Sequence, residues 1–323
     1  MLILNAAEVE ALFPMDAAIA AMKSAMMQVS SGETLLPLRQ FVVMPGVGDG
    51  PSPGKMAVMP GYIARPPRFG LKTVSKFSNA AQSHVGTVQL YDATDGQLLA
   101  IIEGGTLTAI RTAAASALAT DVLARPESET LAILGTGEQA RRHVEAMAAV
   151  RPIRRIRIWG RDRGKAEALA ETLGAHASAA ASVPDAVADA DIICTTTPAA
   201  QPILFGADVR AGTHVNLVGS AIPTTAEVDS ALVAMSRFYG DYEPATRAQG
   251  GEWRAALAAG VVGEEHLLGE IGAVLLGRLE GRRGADEVTV YKSLGVTAQD
   301  LAAADMIREA ALAQGLGLRM ALA

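Results

Sequence analysis

The chain of 323 residues has one cysteine, Cys194, and aromatic side chains make up only 4% of it. A single thiol excludes an internal disulfide and a cysteine-based metal cluster. Its setting in the apolar run Asp191-Ile192-Ile193-Cys194-Thr195 favours an inert core thiol. The five histidines (His84, His143, His176, His214 and His266) lack the H-E-x-x-H or paired spacing of a zinc site, so no metal is expected. A basic excess is also missing. The formal net charge is -6, which offers no general attraction for nucleic acid, and any anion site must be local. Apolar runs are interrupted by charge before the ~20 residues that span a bilayer, and the start of the chain lacks a signal-peptide pattern. A cytoplasmic protein without a membrane segment is expected.

What the chain does have is length for two domains, a composition that is 50% hydrophobic, and one informative junction. Thr130-Leu131-Ala132-Ile133-Leu134 runs into Gly135-Thr136-Gly137-Glu138-Gln139-Ala140 and then an amphipathic stretch. A strand-length apolar run, G-x-G-x-x-A and a helix start form the fingerprint for a dinucleotide pyrophosphate on a helix N-terminus. Gly135 permits the tight turn, Gly137 lets backbone approach phosphate, and Ala140 allows helix to pack on strand. The helix N-H groups and dipole then hold the negative charge. Later strand-like runs at Arg155 to Trp159, Asp191 to Thr195 and His214 to Gly219 fit a parallel sheet whose carboxyl ends face the ligand.

The first third has a different rhythm. Met15 to Val29 reads as an amphipathic helix closed by Ser31-Gly32, and Leu35 to Met44, Met56 to Ala64 and Phe69 to Phe77 read as strands. Pro45 to Gly54 reads as a loop. Asp95-Gly96 between Thr87 to Tyr91 and Leu98 to Ile102 signals a hairpin whose residues accept positive φ. Thr106 to Leu123 and the tail from Thr297 to Ala323 read as helices. The expectation is an α/β protein: a Rossmann-type doubly wound dinucleotide domain over residues 115–298, and an antiparallel α+β domain over residues 1–114 together with 299–323.

Three cations in the first domain interrupt apolar or small-residue surroundings: Arg39, Lys72 and Arg111. A guanidinium clamps a carboxylate at two points, while a lysine is a compact charge whose pKa falls near other cations. Together they suit a small 2-amino or 2-imino acid. Taken singly, Lys72 and Arg39 more often belong to solvated surfaces. Arg111, within a run of alanine and threonine, serves either a buried pair or a ligand.

Across nearly its whole length the chain resembles the ornithine cyclodeaminase and mu-crystallin family. The resemblance is carried by Gly70-Leu71-Lys72, by Leu107-Thr108-Ala109-Ile110-Arg111-Thr112-Ala113-Ala114 and by Gly135 to Arg141. It continues in Val218-Gly219-Ser220 with Pro223 and Glu227, then in Tyr291-Lys292-Ser293-Leu294-Gly295 with Gln299-Asp300. It implies that Arg39, Lys72 and Arg111 surround a substrate carboxylate facing a nicotinamide, with Thr87 near the cofactor; of the three cations, Lys72 is the candidate for proton delivery. It also implies a homodimer made through the first domain and the returning C-terminal helix. Residues expected to hold the cofactor are Thr87, Arg111, Gly135, Thr136, Gly137, Glu138, Gln139, Ala140, Gly160, Arg161, Asp162, Thr197, Val218, Gly219, Ser220 and Ser293.

One departure from the family pattern separates its chemistries. Cyclodeaminases that close ornithine into proline carry an aspartate where this chain has Ala221, and alanine can neither accept a proton nor pair an ammonium. Glu227 and Asp229 lie nearby but read as helix caps or surface charges. The expected activity is therefore NAD(P)H-dependent reduction of a small 2-imino acid, equivalently an amino-acid dehydrogenase. The alternatives are an ornithine cyclodeaminase-type ammonia lyase and a non-catalytic ligand-binding protein of mu-crystallin type. Gly160 stands where an acid normally meets the adenosine ribose, and Arg161 beside it suits a 2'-phosphate, so NADP(H) is favoured over NAD(H). The competing arrangement turns Asp162 inward to bind NAD.

Overall fold

The computed structural model describes residues 1–46, 52–77 and 85–321. The loop expected at Pro45 to Gly54 lies partly, and His84 wholly, outside the described residues. The chain divides into two compact units, Met1–Arg111 with Val296–Ala323, and Thr112–Gly295. Among the described residues no helix is long and apolar enough to cross a membrane.

The first unit begins with β1 (Leu2–Leu4), α1 (Ala6–Leu12) and α2 (Met15–Ser30). A capping box between Asn5 and Glu8 starts α1, and Gly32, at φ +71°, turns the chain after α2. The run expected as one strand from Leu35 to Met44 is two, β2 (Thr34–Leu35) and β3 (Gln40–Val43). Pro37 lies between them, and its missing N-H cannot join a ladder. Then come β4 (Gly54–Ile63), β5 (Arg68–Phe77), β6 (Val85–Asp92), β7 (Leu98–Glu103) and α3 (Gly104–Leu123), the helix that carries the chain onward. The β6–β7 hairpin is present, but only Gly96 takes a positive φ, +77°. Asp95 keeps a negative φ, and its carboxylate accepts from the Gln97 N-H at 2.9 Å.

The second unit alternates strand and helix: β8 (Thr130–Leu134), α4 (Glu138–Val150), β9 (Arg155–Trp159), α5 (Arg163–Leu173), β10 (Ala177–Ala179), α6 (Val183–Val187) and β11 (Ile192–Thr195). After β12 (His214–Leu217) come α7 (Ser230–Met235), β13 (Ser236–Gly240), α8 (Glu243–Gln249), α9 (Gly251–Ala258), β14 (Leu267–Glu270), α10 (Ile271–Leu275) and β15 (Val288–Lys292). The strands form one sheet in the order β10-β9-β8-β11-β12-β15-β13-β14, and every pairing is parallel. Near-continuous burial of β8, β11, β12 and β15 matches a sheet covered on both faces. Strand order reverses at β8 and β11, the switch point at which doubly wound sheets open a ligand crevice at their carboxyl ends.

The chain then returns to the first unit through α11 (Thr297–Gln314) and β16 (Leu318–Arg319). The tail is thus not helical to its end. Gly315 adopts φ +68° as a left-handed cap, after which β16 pairs antiparallel with β1. The sheet of this unit runs β16-β1-β7-β6-β5-β4-β2, with β3 also on β4. It is antiparallel except where β1 meets β7. Helix α11 packs against α2 and the β4–β6 face, and Gly70 permits that approach, since a Cβ there would stand 2.2 Å from the Gln89 carbonyl oxygen and 2.6 Å from Leu301.

Candidate functional site

In the first unit the sequence periodicity of β5 puts Gly70 and Lys72 on the buried face, with Lys72 paired between Met59 of β4 and Val88 of β6. Lys72 is 1% exposed, so the solvated-lysine reading does not hold. Its Nζ donates to Asp300 Oδ1 at 2.7 Å. Arg111, buried on α3, donates through Nε to the same oxygen at 3.0 Å and through Nη1 to Gln299 Oε1 at 3.0 Å. Gln299 is anchored in turn on Met26 of α2. Both acceptors sit in the first turn of α11, where the helix dipole favours an acid.

Burial and the Arg111 charge, with a smaller contribution from Arg39, bring the Lys72 ammonium down to about 7, against the opposing pull of Asp300. Burial works against the Asp300 carboxylate, yet Arg111 and Lys72 hold it below its usual range. Arg39 is half-buried before β3 and acts on Lys72 through its charge. Thr87 lies across from Thr73, their hydroxyls 3.3 Å apart. This unit therefore contains a buried cluster in which two cations share one acid.

In the second unit the turn after β8 has the form the fingerprint requires. Gly135 sits at φ +137°, and a Cβ there would lie 2.3 Å from Thr196 Oγ1. A Cβ on Gly137 would meet no protein atom within 4 Å, so its absence leaves open space at the start of α4. Gly137 is the N-cap and provides no side-chain cap, which leaves the first helical N-H groups available for an anion. Ala140 is fully buried. The Glu138 carboxylate is occupied by Arg141 and Arg142, and Gln139 Oε1 is buried without a hydrogen-bond partner among the described residues. At the end of β9, a Cβ on Gly160 would come within 2.5 Å of Thr136 Cγ2, so any side chain there would require Thr136 to shift. Asp162 caps α5, accepting from the Lys165 N-H at 3.2 Å. Arg161 is exposed and has no hydrogen bond or ion pair among the described residues.

The carboxyl ends of β11 and β12 are tied together by a residue whose sequence reading was wrong. Glu227 is neither a cap nor a surface charge; it is fully buried. Its Oε1 accepts from the Thr197 N-H at 2.7 Å and the Thr197 hydroxyl at 2.8 Å. Its Oε2 accepts from the Thr195 hydroxyl and the Gly219 N-H, each at 2.7 Å. Burial raises the Glu227 pKa, while Lys292 and the threonine donors oppose that rise. Behind it, Lys292 Nζ pairs with Glu252 and donates to the Ser220 carbonyl at 2.6 Å, and Glu252 accepts from the Glu227 N-H at 3.2 Å. Asp229, by contrast, is the N-cap of α7 as expected. Of the other expected cofactor residues, Val218 continues the β12 ladder to Thr195, Ser220 spends its hydroxyl on Thr225, and Ser293 keeps a buried hydroxyl without a partner among the described residues.

Cys194 is buried in β11, and burial pushes its thiol up to about 12, as an inert core thiol requires. Asp300, Gln299 and Lys292 entered the sequence reading only as motif positions without a role, Glu227 was misassigned, and Glu252 was missed altogether. Lys292 offered a signal, a charge closing the apolar run Val288 to Tyr291.

A parallel sheet in this order with an uncapped G-x-G-x-x-A helix defines a Rossmann-type dinucleotide-binding unit. The chain belongs to the ornithine cyclodeaminase/mu-crystallin family, whose model matches residues 1–315. It is 36% identical over 258 residues to the ketimine reductase mu-crystallin of Mus musculus, covering 79% of this chain and 80% of that one. It is 32% identical to a Delta(1)-pyrroline-2-carboxylate reductase of Bacillus cereus (strain ZK / E33L), covering 99% of each. Among solved structures, the Delta(1)-pyrroline-2-carboxylate reductase of Thermococcus litoralis in complex with NADH and L-proline matches with a TM-score of 0.93 at 30% identity, over 99% of this chain and 100% of that one.

Proposed function

We propose that the protein is an NAD(P)H-dependent imino-acid (ketimine) reductase that reduces the C=N bond of a small 2-imino acid. The observation that carries this reading is the buried Lys72–Asp300–Arg111 cluster, in a chain that also holds a dinucleotide fingerprint and is similar to ketimine and Delta(1)-pyrroline-2-carboxylate reductases. A reduced nicotinamide, when bound, supplies the hydride. The open backbone after Gly135, the α4 N-terminus and the uncommitted hydroxyl of Ser293 suit such a cofactor.

Arg111, Lys72 and Arg39 hold the substrate carboxylate, which fixes the Cα=N carbon for attack and excludes bulk water from it. As the Cα–H bond forms, the C=N electron pair moves to nitrogen, which takes a proton from Lys72 Nζ. Lys72 is left a neutral amine and the substrate an amino acid. Burial suits this role, because an ammonium brought near neutrality yields its proton readily. Ala221 gives no carboxylate for cyclodeamination.

Arg161, exposed and uncommitted, favours NADP(H) through a contact to the 2'-phosphate, while Asp162 is engaged as a helix cap rather than turned to a ribose. The exposed apolar side chains of β2 and β3 and the segment between them, Leu35, Leu38, Phe41, Val42 and Val43, suit contact with a second copy of this chain. The test is an NADPH and NADH oxidation screen over cyclic ketimines, iminosuccinate-like acids and mixtures of pyruvate with amines. Turnover in one of these groups supports the reading. Steady release of ammonia and proline from ornithine without added nicotinamide overturns it.

A further inference from the structure

The geometry around Asp300 departs from an ordinary structural ion pair. Arginine usually meets a carboxylate with two parallel N-H groups on two oxygens. Here Arg111 and Lys72 converge on one oxygen, Oδ1, while Arg111 Nη1 is turned to Gln299. Oδ2 is buried and has no hydrogen-bond partner among the described residues. A carboxylate so placed is shared between two cations, and one of them is the only member of the group that can lose a proton near neutrality.

We propose that Asp300 is the positioning residue for the Lys72 ammonium, holding Nζ in a fixed direction and keeping it charged until its proton is transferred. The inference rests on the acid role given to Lys72 above. The charged groups acting on Nζ are Arg111 from α3, Asp300 from α11 and Arg39 ahead of β3; its strand neighbours are Met59 and Val88. Asp300 is the only one of the three charges that favours the ammonium. With that charge removed, burial and two guanidiniums all act against protonation, and Lys72 becomes a neutral amine over most of the working pH range. The position at the first turn of α11 makes the arrangement stable without substrate, since the helix end itself favours the carboxylate.

The experiment compares wild type with Asp300→Asn, Asp300→Ser and Asp300→Glu. The rate of single-turnover NAD(P)H oxidation is followed against pH, alongside the pH midpoint for trace acetylation of the Lys72 amine read by mass spectrometry. In both neutral variants the alkaline fall in rate and the acetylation midpoint should move down by about 1–3 pH units, the usual effect of an adjacent opposite charge. The rate should recover towards wild type at low pH. Asp300→Glu, which keeps the charge, should restore both midpoints to within about one unit of wild type. A uniform loss of rate with unmoved midpoints would mean that Asp300 only supports the fold, and overturns the proposal. Should Asp300→Asn fail to fold, Asp300→Ser carries the same expectation. If the acetylation midpoint moves while the hydride-transfer rate does not, and Lys72→Met retains single-turnover transfer, then the acid role of Lys72 is what fails, while control of its charge by Asp300 stands.

Discussion

Replacement of Glu227 tests the account of the second unit most severely. In Glu227→Ala four donors lose their acceptor at once: the N-H groups of Thr197 and Gly219 and the hydroxyls of Thr195 and Thr197. A hydrogen bond to a charged group is worth about 1.5–3 kcal/mol, but four such values do not add, because the threonine hydroxyls can rotate to other acceptors. The two backbone N-H groups cannot. Leaving a donor unsatisfied costs about 1–3 kcal/mol, so for the two N-H groups about 2–5 kcal/mol is the expected loss. Glu227→Gln keeps one acceptor oxygen but turns an NH2 towards one pair of donors, so its loss should be about 1–3 kcal/mol. Both tryptophans, Trp159 and Trp253, lie in the second unit. Urea unfolding followed by their fluorescence therefore reports on that unit. A loss below about 1 kcal/mol in Glu227→Ala would refute the claim that this carboxylate holds the ends of β11 and β12 together.

Three further outcomes are expected. Gly219→Ala would drive a Cβ to 1.9 Å from the Thr197 carbonyl oxygen; backbone must shift, and NAD(P)H affinity by fluorescence titration should fall by about tenfold or more, the effect of a displacement costing over 1.4 kcal/mol. Arg161→Glu should cut kcat/KM for NADPH by about 10- to 150-fold, the loss of one charge-assisted contact, with NADH little affected. Lys72→Met should flatten the dependence of stability on pH: the native lysine titrates at about 7 and its unfolded counterpart near 10.5, so the native state binds fewer protons between those values and wild type gains stability as pH rises through them. That gain, ~5 kcal/mol at most, should be missing from denaturant midpoints of the variant.

Much of the fold was legible because its signals are local. The period-2 and strand-helix alternations, the glycines of the β8–α4 turn and the helix at Met15 each depend on residues within a few positions of one another. The cations Lys72 and Arg111 were legible for a related reason, as charges set among small and apolar residues. Their partners were not. An acid in the first turn of a helix is so common a dipole partner that Asp300, though part of a recognisable motif, gave no sign of its role in closing contacts over 228 and 189 residues. Glu227 failed in the same way. A carboxylate shortly before a helix reads as a cap, and the donors that overrule this come from 30 and 32 residues earlier, at Thr197 and Thr195. Asp229, two residues on, really is the cap. Sequence spacing identifies which positions are able to cap, and only the folded loop decides between them.

The same contrast explains why one of the three grouped cations, Arg111, Arg39 and Lys72, is a lysine. A guanidinium holds a carboxylate more specifically than an ammonium, and it does not lose its proton at any working pH. If binding alone were at stake, a third arginine would serve, and burying a strongly hydrated ammonium at 1% exposure would be needless cost. Burial and Arg111 bring Lys72 to about 7, while Asp300 limits the fall. A group balanced there can be charged when a carboxylate arrives and neutral after a proton has left. Lys72→Arg is accordingly expected to keep substrate binding while slowing hydride transfer by about 10²–10⁴-fold, the usual contribution of a positioned acid. A variant that binds and reduces at the wild-type rate would show that charge alone was required at this position.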